Sequence, residues 1–198
     1  VRLEDADRLA KDLLVLFRPD THRIEVAGSV RRRKPEVGDI ELVAIPKWLK
    51  KGHQPAQATL GGTEVETPME EEHEVMHQVR ACIRNGILRH APPDTRGRKA
   101  PFGDRYMKVE DVATGTQIDV FCVVPPASWG MVFLIRTGSA DYTREFVTRL
   151  HDKGMRSKDG HLERQVGEEW KTVDTPEERD VFREAGRPWV PPERRSEP

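Results

Sequence analysis

The sequence predicts an α+β fold: a sheet with flanking helices over residues 1–126, followed by a small α+β domain over residues 127–198. Three observations carry this expectation. Apolar residues recur at helical spacing in some segments and alternate with a period of two in others. Helical segments at residues 6–17 and 67–86 accompany strand segments, of which 105–109 and 117–124 follow one another across a single turn with no helix between them. Pro125-Pro126 then interrupts the pattern, and a second set of elements begins beyond it.

Each element follows from local chemistry. Ala6, Leu9, Ala10, Leu13 and Phe17 line one face of a first helix, which Pro19 ends. Residues 23–26 form a short strand with Ile24 and Val26 on one face, running into Gly28-Ser29, where glycine permits a tight turn. Leu42, Val43, Ala44 and Ile45 continue a strand opened by Asp39 and Glu41. Residues 46–62 are rich in Gly, Pro, Gln and Lys and read as an insertion. Thr67-Pro68-Met69-Glu70 carries an N-cap, a proline at the first helical position and a capping-box glutamate, so a helix is expected to start there. Its apolar stripe is Val75, Met76, Val79, Cys82 and Ile83, and Gly86 closes it. Residues 91–103 form a mobile basic loop, and residues 105–109 and 117–124 are strands around the Ala113-Thr114-Gly115 turn.

Beyond the proline pair, a short helix over residues 129–134 leads to a Thr137-Gly138-Ser139 turn. Tyr142, Phe146 and Leu150 define the next helix, which Gly154 stops. Asp159-Gly160 joins two short strands as a hairpin. Thr175-Pro176-Glu177-Glu178 repeats the capping signature for a last helix with Val181 and Phe182, and the tail from Pro188 is extended and anchored by Trp189.

Composition excludes several classes. The 198 residues suffice for a buried core without disulfides. Cys82 and Cys122 form no CxxC pair, which argues against a structural zinc and suits a reducing, cytoplasmic compartment. No apolar run approaches a membrane span, and the start at Val1 has no signal-peptide pattern; a start without Met is expected of a trimmed or excised chain. Net charge is −1, so nucleic-acid affinity has to come from local clusters. Those clusters are at residues 31–34, at Arg96, Arg98 and Lys99, at Arg105 and Lys108, and at Arg149, Lys153, Arg156 and Lys158.

The chemistry concentrates at residues 28–41. A Gly-Ser turn and a basic cluster precede Asp39 and Glu41, which the two-residue strand period places on one face. Two acids so close repel unless a cation joins them. Asp119 lies on a strand among apolar neighbours, where a lone carboxylate is costly. Three carboxylates on one sheet face make an oxygen-rich site suited to two Mg²⁺ ions, with Mn²⁺ as a substitute. Two ions roughly 3.5 to 4 Å apart would clamp the attacking and leaving oxygens of an in-line phosphoryl transfer. Asp39 and Glu41 would bridge both, and Asp119 would hold the one that activates the attacking hydroxyl. Ser29, Gly38 and Arg32 fit as partners of a triphosphate.

Gly28-Ser29 followed by Asp39-Ile40-Glu41 resembles the nucleotidyltransferase signature. Gly28-Ser29-Val30-Arg31-Arg32 with Gly38 and Asp39 is more specific, and resembles the family X DNA polymerases. Arg105-Tyr106-Met107-Lys108-Val109, Gln117-Ile118-Asp119, Thr137-Gly138-Ser139 and residues 175–192 extend the likeness over nearly the whole chain. The chain is similar to the minimal viral members, which consist of a palm and a thumb and lack the lyase and helix-hairpin-helix units. The resemblance implies a nucleotidyltransferase palm at 1–126, a mixed sheet with flanking helices, and a small α+β thumb at 127–198. It further implies addition of deoxynucleotides to a primer 3′ end, with gap filling in DNA repair as the setting.

The implied nucleotide-binding residues are Gly28, Ser29, Arg32, Gly38, Thr137, Gly138, Ser139 and Tyr142. Arg105, Lys108, Arg149 and Lys153 are expected to touch phosphates of a primer-template or gapped DNA. A monomer is expected, intracellular, in the cytoplasm or at the nucleoid or nucleus. Three positions depart from the family. Glu41 stands where its polymerases carry Asp, which predicts slower chemistry or a changed metal preference. Ile135-Arg136 replaces a pair of aromatics or Gly-Trp that senses the sugar 2′ position, which predicts measurable ribonucleotide insertion. Gln117 replaces a common arginine near the primer terminus.

Three other readings compete. His73-Glu74-Val75-Met76-His77 matches the HExxH zinc-peptidase pattern, but both histidines are expected opposite the apolar stripe, facing solvent, with no third ligand. A nonpolymerase nucleotidyltransferase that modifies drugs or proteins would share the first acids without needing Thr137-Gly138-Ser139. A catalytically silent DNA-end binder would keep DNA affinity and lose metal-dependent extension.

Overall fold

The computed structural model describes residues 1–49 and 72–195. Helix α1 (Leu3–Phe17) buries Ala6, Ala10, Leu13 and Phe17 and passes into a 3-10 turn at Pro19, whose ring cannot continue the ladder. Strand β1 (Thr21–Val26) leads into α2 (Gly28–Arg31), a single helical turn at the expected Gly-Ser turn, and then β2 (Asp39–Pro46). Helix α3 (Glu74–Arg84) is followed by β3 (Leu88–His90), β4 (Tyr106–Asp111) and β5 (Gln117–Cys122). Gly86, at φ +70°, turns the chain out of α3 into β3, a strand too short to register in the hydropathy pattern.

These five strands form one mixed sheet in the order β1-β2-β5-β4-β3. Only β2 and β5 run parallel; the other neighbours are antiparallel. Ile40, Leu42, Met107, Ile118 and Val120 point to one face and meet α1 and α3 in the main apolar cluster. Each such fully buried aliphatic side chain contributes about 1.5 to 3 kcal/mol. The opposite face, carrying Asp39, Glu41, Val43, Asp119 and Phe121, is covered differently. There Trp129 and Phe133 of α4 (Trp129–Thr137) pack with Val43, Phe121, Val123 and Ala27.

After α4 come α5 (Ala140–His151), β6 (Met155–Lys158), β7 (His161–Val166), β8 (Glu169–Val173) and α6 (Glu178–Glu184). The expected hairpin is therefore a three-stranded sheet, β6-β7-β8. Met131, Leu134, Phe146, Leu150, Leu162, Val181 and Phe182 form its core with the helices. Helix α4 crosses the segment before α6 at Gly130, where a Cβ would overlap the carbonyls of Thr175 and Glu177.

Several local expectations change. Thr67-Pro68-Met69-Glu70 lies outside the described residues, and α3 begins at Glu74 with His73 as its N-cap. The cap of α6 is Glu177, in a reciprocal box with Asp180, because Thr175 is used elsewhere. Thr175 is buried against the Ser128 hydroxyl at 2.7 Å, and its carbonyl accepts from Gly130 N at 3.0 Å. The 91–103 loop is organised by Asp94, which accepts from the backbone N–H groups of Arg96 and Arg98 and from the Arg98 side chain. The tail is not simply extended: Pro192–Arg194 is a 3-10 turn that delivers Arg195 into the interior at 0% exposure.

Candidate functional site

The acids meet through strand register. The pleat sets Asp39 and Glu41 on one face of β2, and the parallel neighbour β5 brings Asp119 directly opposite Glu41. On the other side of β5, Lys108 of β4 pairs with Asp119 and Tyr106 with Phe121. Asp119 is 6% exposed; it accepts a hydrogen bond from the Tyr106 hydroxyl at 3.1 Å and lies 3.7 Å from Lys108 Nζ. Glu41 turns toward α2, where its carboxylate fills the space a Cβ on Gly28 would occupy. Gly28 also has φ +60°, so only glycine meets both demands.

The charges follow from this crowding. Burial, reinforced by Asp39 and Asp119, pushes the Glu41 carboxyl up to about 7, against the pull of Arg136 and Arg32. Burial also raises Asp119, while Lys108 and the Tyr106 hydrogen bond oppose the rise. Arg136 lies with its guanidinium 3.8 Å from the centroid of Phe121, and the Tyr106 ring stacks on that same residue at 4.6 Å. The acids thus sit within a frame of one lysine, two arginines and a tyrosine.

Among the described residues no group of three or more His, Cys, Asp or Glu side chains is disposed to hold a metal. The three acids share a face, but Asp119 is engaged by Lys108 and Tyr106, and Glu41 is packed on Gly28. The donor chemistry nonetheless fits a hard divalent cation: three carboxylates, two of them driven toward protonation by burial and mutual repulsion.

The expected triphosphate residues are brought together by α2. Arg31 Nη1 donates to the Thr137 hydroxyl, and Arg32 Nη1 donates to the Thr137 carbonyl. The Gly28-Ser29 turn is thereby tied to Thr137-Gly138-Ser139. Gly138 has φ +63°, and Ser139 caps α5 by accepting from Tyr142 N at 3.4 Å. The Ser29 hydroxyl, Arg32 Nε and the Tyr142 hydroxyl are buried with no partner among the described residues, an expensive state that a polar ligand would relieve. Gly38 is exposed, and a Cβ on it would meet nothing within 4 Å among the described residues, so no packing demand from them explains that glycine.

The expected DNA-contacting cations divide. Arg105 is exposed just before β4, and Arg149 and Lys153 are exposed in the last turn of α5 and the turn that follows it, Arg149 paired with Glu145 at 2.9 Å. Lys108 instead points at Asp119.

Sequence reasoning passed over one ion network. Arg31 donates through both Nη atoms to the two oxygens of Glu178, each at 2.9 Å, and buried Arg195 donates to Glu178 Oε1 at 2.5 Å. Arg195 also donates to the Val190 carbonyl, and Trp189 Nε1 donates to Glu178 Oε2 at 3.3 Å. Glu178 stands in the capping pattern Thr175-Pro176-Glu177-Glu178, and nothing in the local sequence points to its distant partners Arg31 and Arg195. Tyr106 was also missed as a site residue, although the alternation of Tyr106 and Lys108 opposite Asp119 carried the signal.

The zinc-peptidase pattern dissolves. His73 is buried rather than solvent-facing and stands outside α3. Its Nδ1 accepts from Met76 N at 3.1 Å, and its Nε2 lies 2.8 Å from the Asp104 carbonyl, which assigns the proton to Nε2 and leaves no nitrogen for a metal. His77 is exposed.

Residues 132–196 match the family model of the DNA polymerase beta thumb. Among curated proteins nothing matches the chain. The matched segment includes Thr137-Gly138-Ser139, Tyr142, Glu178 and Arg195, and this likeness supports polymerase-like DNA binding by that part of the molecule.

Proposed function

We propose that this chain is a family X DNA polymerase-like nucleotidyltransferase that adds deoxynucleotides to a DNA 3′ end in gap filling, with residues 1–126 as palm and 127–198 as thumb. One observation carries the reading: the turn that abuts the acids is bonded, through Arg31 and Arg32, to Thr137 inside the segment that matches the polymerase beta thumb. A nonpolymerase transferase has no use for that link.

In this reading Asp39, Glu41 and Asp119 hold two Mg²⁺, or Mn²⁺ in their place. Bound there, the ions supply charge neutralisation and a lowered pKa for the attacking hydroxyl. The primer 3′ oxygen gives up its proton to solvent water and bonds to the α-phosphorus, the bond from that phosphorus to the bridging oxygen breaks, and pyrophosphate departs with the electron pair. Ser29 donates its unpaired hydroxyl to the triphosphate, Arg32 offers its free Nε, and Gly38 leaves room beside them. Thr137, Gly138 and Ser139 bring α5 and Tyr142 to the nucleotide. Arg105, Arg149 and Lys153 contact phosphates, and Lys108 becomes available for this once Asp119 is otherwise neutralised. Arg136, in place of an aromatic, relaxes exclusion of the 2′ hydroxyl. The protein acts as an intracellular monomer.

A gapped primer-template with each deoxynucleotide and Mg²⁺ or Mn²⁺ tests this. Template-directed extension by the native chain, lost in Asp119→Ala, is the expected result; extension that persists in Asp119→Ala rejects the three-acid mechanism. The Lys108–Asp119 pair favours one rival, a silent DNA-end binder whose acid is permanently neutralised by lysine. That rival retains DNA affinity and extends nothing with either metal.

A further inference from the structure

On the far side of the sheet from the acids, α3, β3 and the chain entering β4 enclose an open cavity of about 390 Å³ lined by Arg80, Ile83, Arg84, His90 and Phe102. We propose that it is a second nucleic-acid subsite that holds one nucleotide unit of a single strand, its base against Phe102 and its phosphate on Arg84.

Shape and composition both point there. The volume falls within the range of small-ligand clefts, and the lining pairs an aromatic and an aliphatic side chain with three nitrogen-bearing ones. Phe102 is held in place by His90, whose ring meets it in a T at 4.8 Å, and by the Arg80 guanidinium at 5.9 Å from its centroid. A fixed ring beside guanidinium groups is the arrangement that stacks bases and anchors phosphates without reading sequence.

The local charge is one-sided. Arg80 is neutralised by Glu72 at 3.1 Å, and Arg98 by Asp94 at 2.7 Å. Arg84 has no ion-pair partner among the described residues. Nor have Arg96 and Lys99, on the loop that runs from His90 to Phe102. Arg84 is thus the uncompensated guanidinium in the lining, and it favours an anionic ligand over a neutral one. An acidic peptide would satisfy the cations but leave the ring without a planar partner. None of these residues touches the acids, so the subsite adds grip, which suits a chain of net charge −1.

This inference rests on the DNA-binding part of the proposed function and not on its chemistry. The test uses the full chain, a short oligothymidylate carrying 4-thiothymidine, and dTMP. Photo-crosslinking of the unaltered protein is expected to mark the peptide containing Phe102 or that containing Arg84. By fluorescence anisotropy, Phe102→Ala and Arg84→Glu should each weaken the strand roughly five- to tenfold, with native circular dichroism. dTMP that competes only far above the strand's own concentration identifies a strand site; dTMP that competes equally identifies the same chemistry in a free nucleotide. Crosslinks confined to other peptides, or unchanged affinity in both folded variants, overturns the subsite. Asp119→Asn, run in parallel, separates the two ideas: loss of extension with intact strand binding concerns catalysis alone, and a native chain that binds no strand at all removes both.

Discussion

Arg31 and Glu178 lie 147 positions apart and form a paired two-bond contact, both Nη atoms to both carboxylate oxygens at 2.9 Å. One residue belongs to the turn beside the acids and the other to the helix near the end of the chain. Arg195 closes the network from the interior, so a buried carboxylate is shared by two guanidinium groups. Such a network is costly to break from one side, because the remaining charges stay buried.

Glu178→Gln should therefore destabilise the protein by about 3 to 5 kcal/mol near neutral pH, read by urea or thermal unfolding. The pH dependence has a defined sign. Burial alone would raise the carboxyl, but Arg31 and Arg195 hold it down at about 2, below its ordinary value of 4.5. Its contribution is therefore present above pH 4.5 and disappears as pH falls through 2. The gap between wild type and Glu178→Gln should narrow across that window; a gap constant down to pH 2 would contradict the network's ionic character.

Gly28→Ala should abolish the packing of Glu41 and cost about 1 to 3 kcal/mol, from the left-handed backbone and the overlap together. Shortening the acid separates the two causes. If overlap matters, Gly28→Ala with Glu41→Asp is less destabilised than the sum of the single changes, and additive values would assign the whole cost to the backbone.

Glu41 gives a second pH signature of opposite sign. Its carboxyl is raised to about 7, so the stability it contributes is present below its unfolded value of 4.5 and is lost as pH rises through 7. Without divalent metal, wild type should weaken over that interval by more than Glu41→Gln, in which the raised Asp119 still contributes a loss of the same sign. Arg136→Gln removes an opposing cation and should shift the Glu41 titration upward, followed by NMR of the side-chain carboxyl. A downward shift would place Arg136 away from the acids.

His73→Ala should cost about 1 to 2 kcal/mol, since it removes an N-cap and the link to Asp104. His77→Ala, at an exposed position, should fall within about 0.5 kcal/mol of wild type. Equal effects, reversed by Zn²⁺, would restore the metal-pair reading.

Features carried by periodicity were legible in the sequence. The shared face of Asp39 and Glu41 follows from the pleat, and the stripe of α3 from helical spacing. What depended on partners far along the chain was not. Nothing near Thr175 says that Ser128 and Gly130 claim it, so the cap fell two residues away at Glu177. Helical spacing predicts an exposed His73, but His73 precedes α3 as its N-cap and so does not follow that spacing. The short strand β3 and the third strand β8 carry too few buried side chains to leave a period. The chemistry of the acids predicts that Asp119 shares a sheet face with Asp39 and Glu41, but only the parallel pairing of β5 with β2 sets it opposite Glu41.

That adjacency sets how the molecule loses its candidate site on heating. β2 and β5 are interior strands, each hydrogen-bonded on both sides, whereas fraying begins at the edges. Amide exchange at Ile40, Leu42, Ile118 and Val120 should then require opening of the whole sheet. The three acids should stay in register until global melting, with no lower-temperature state in which the sheet survives and they have parted.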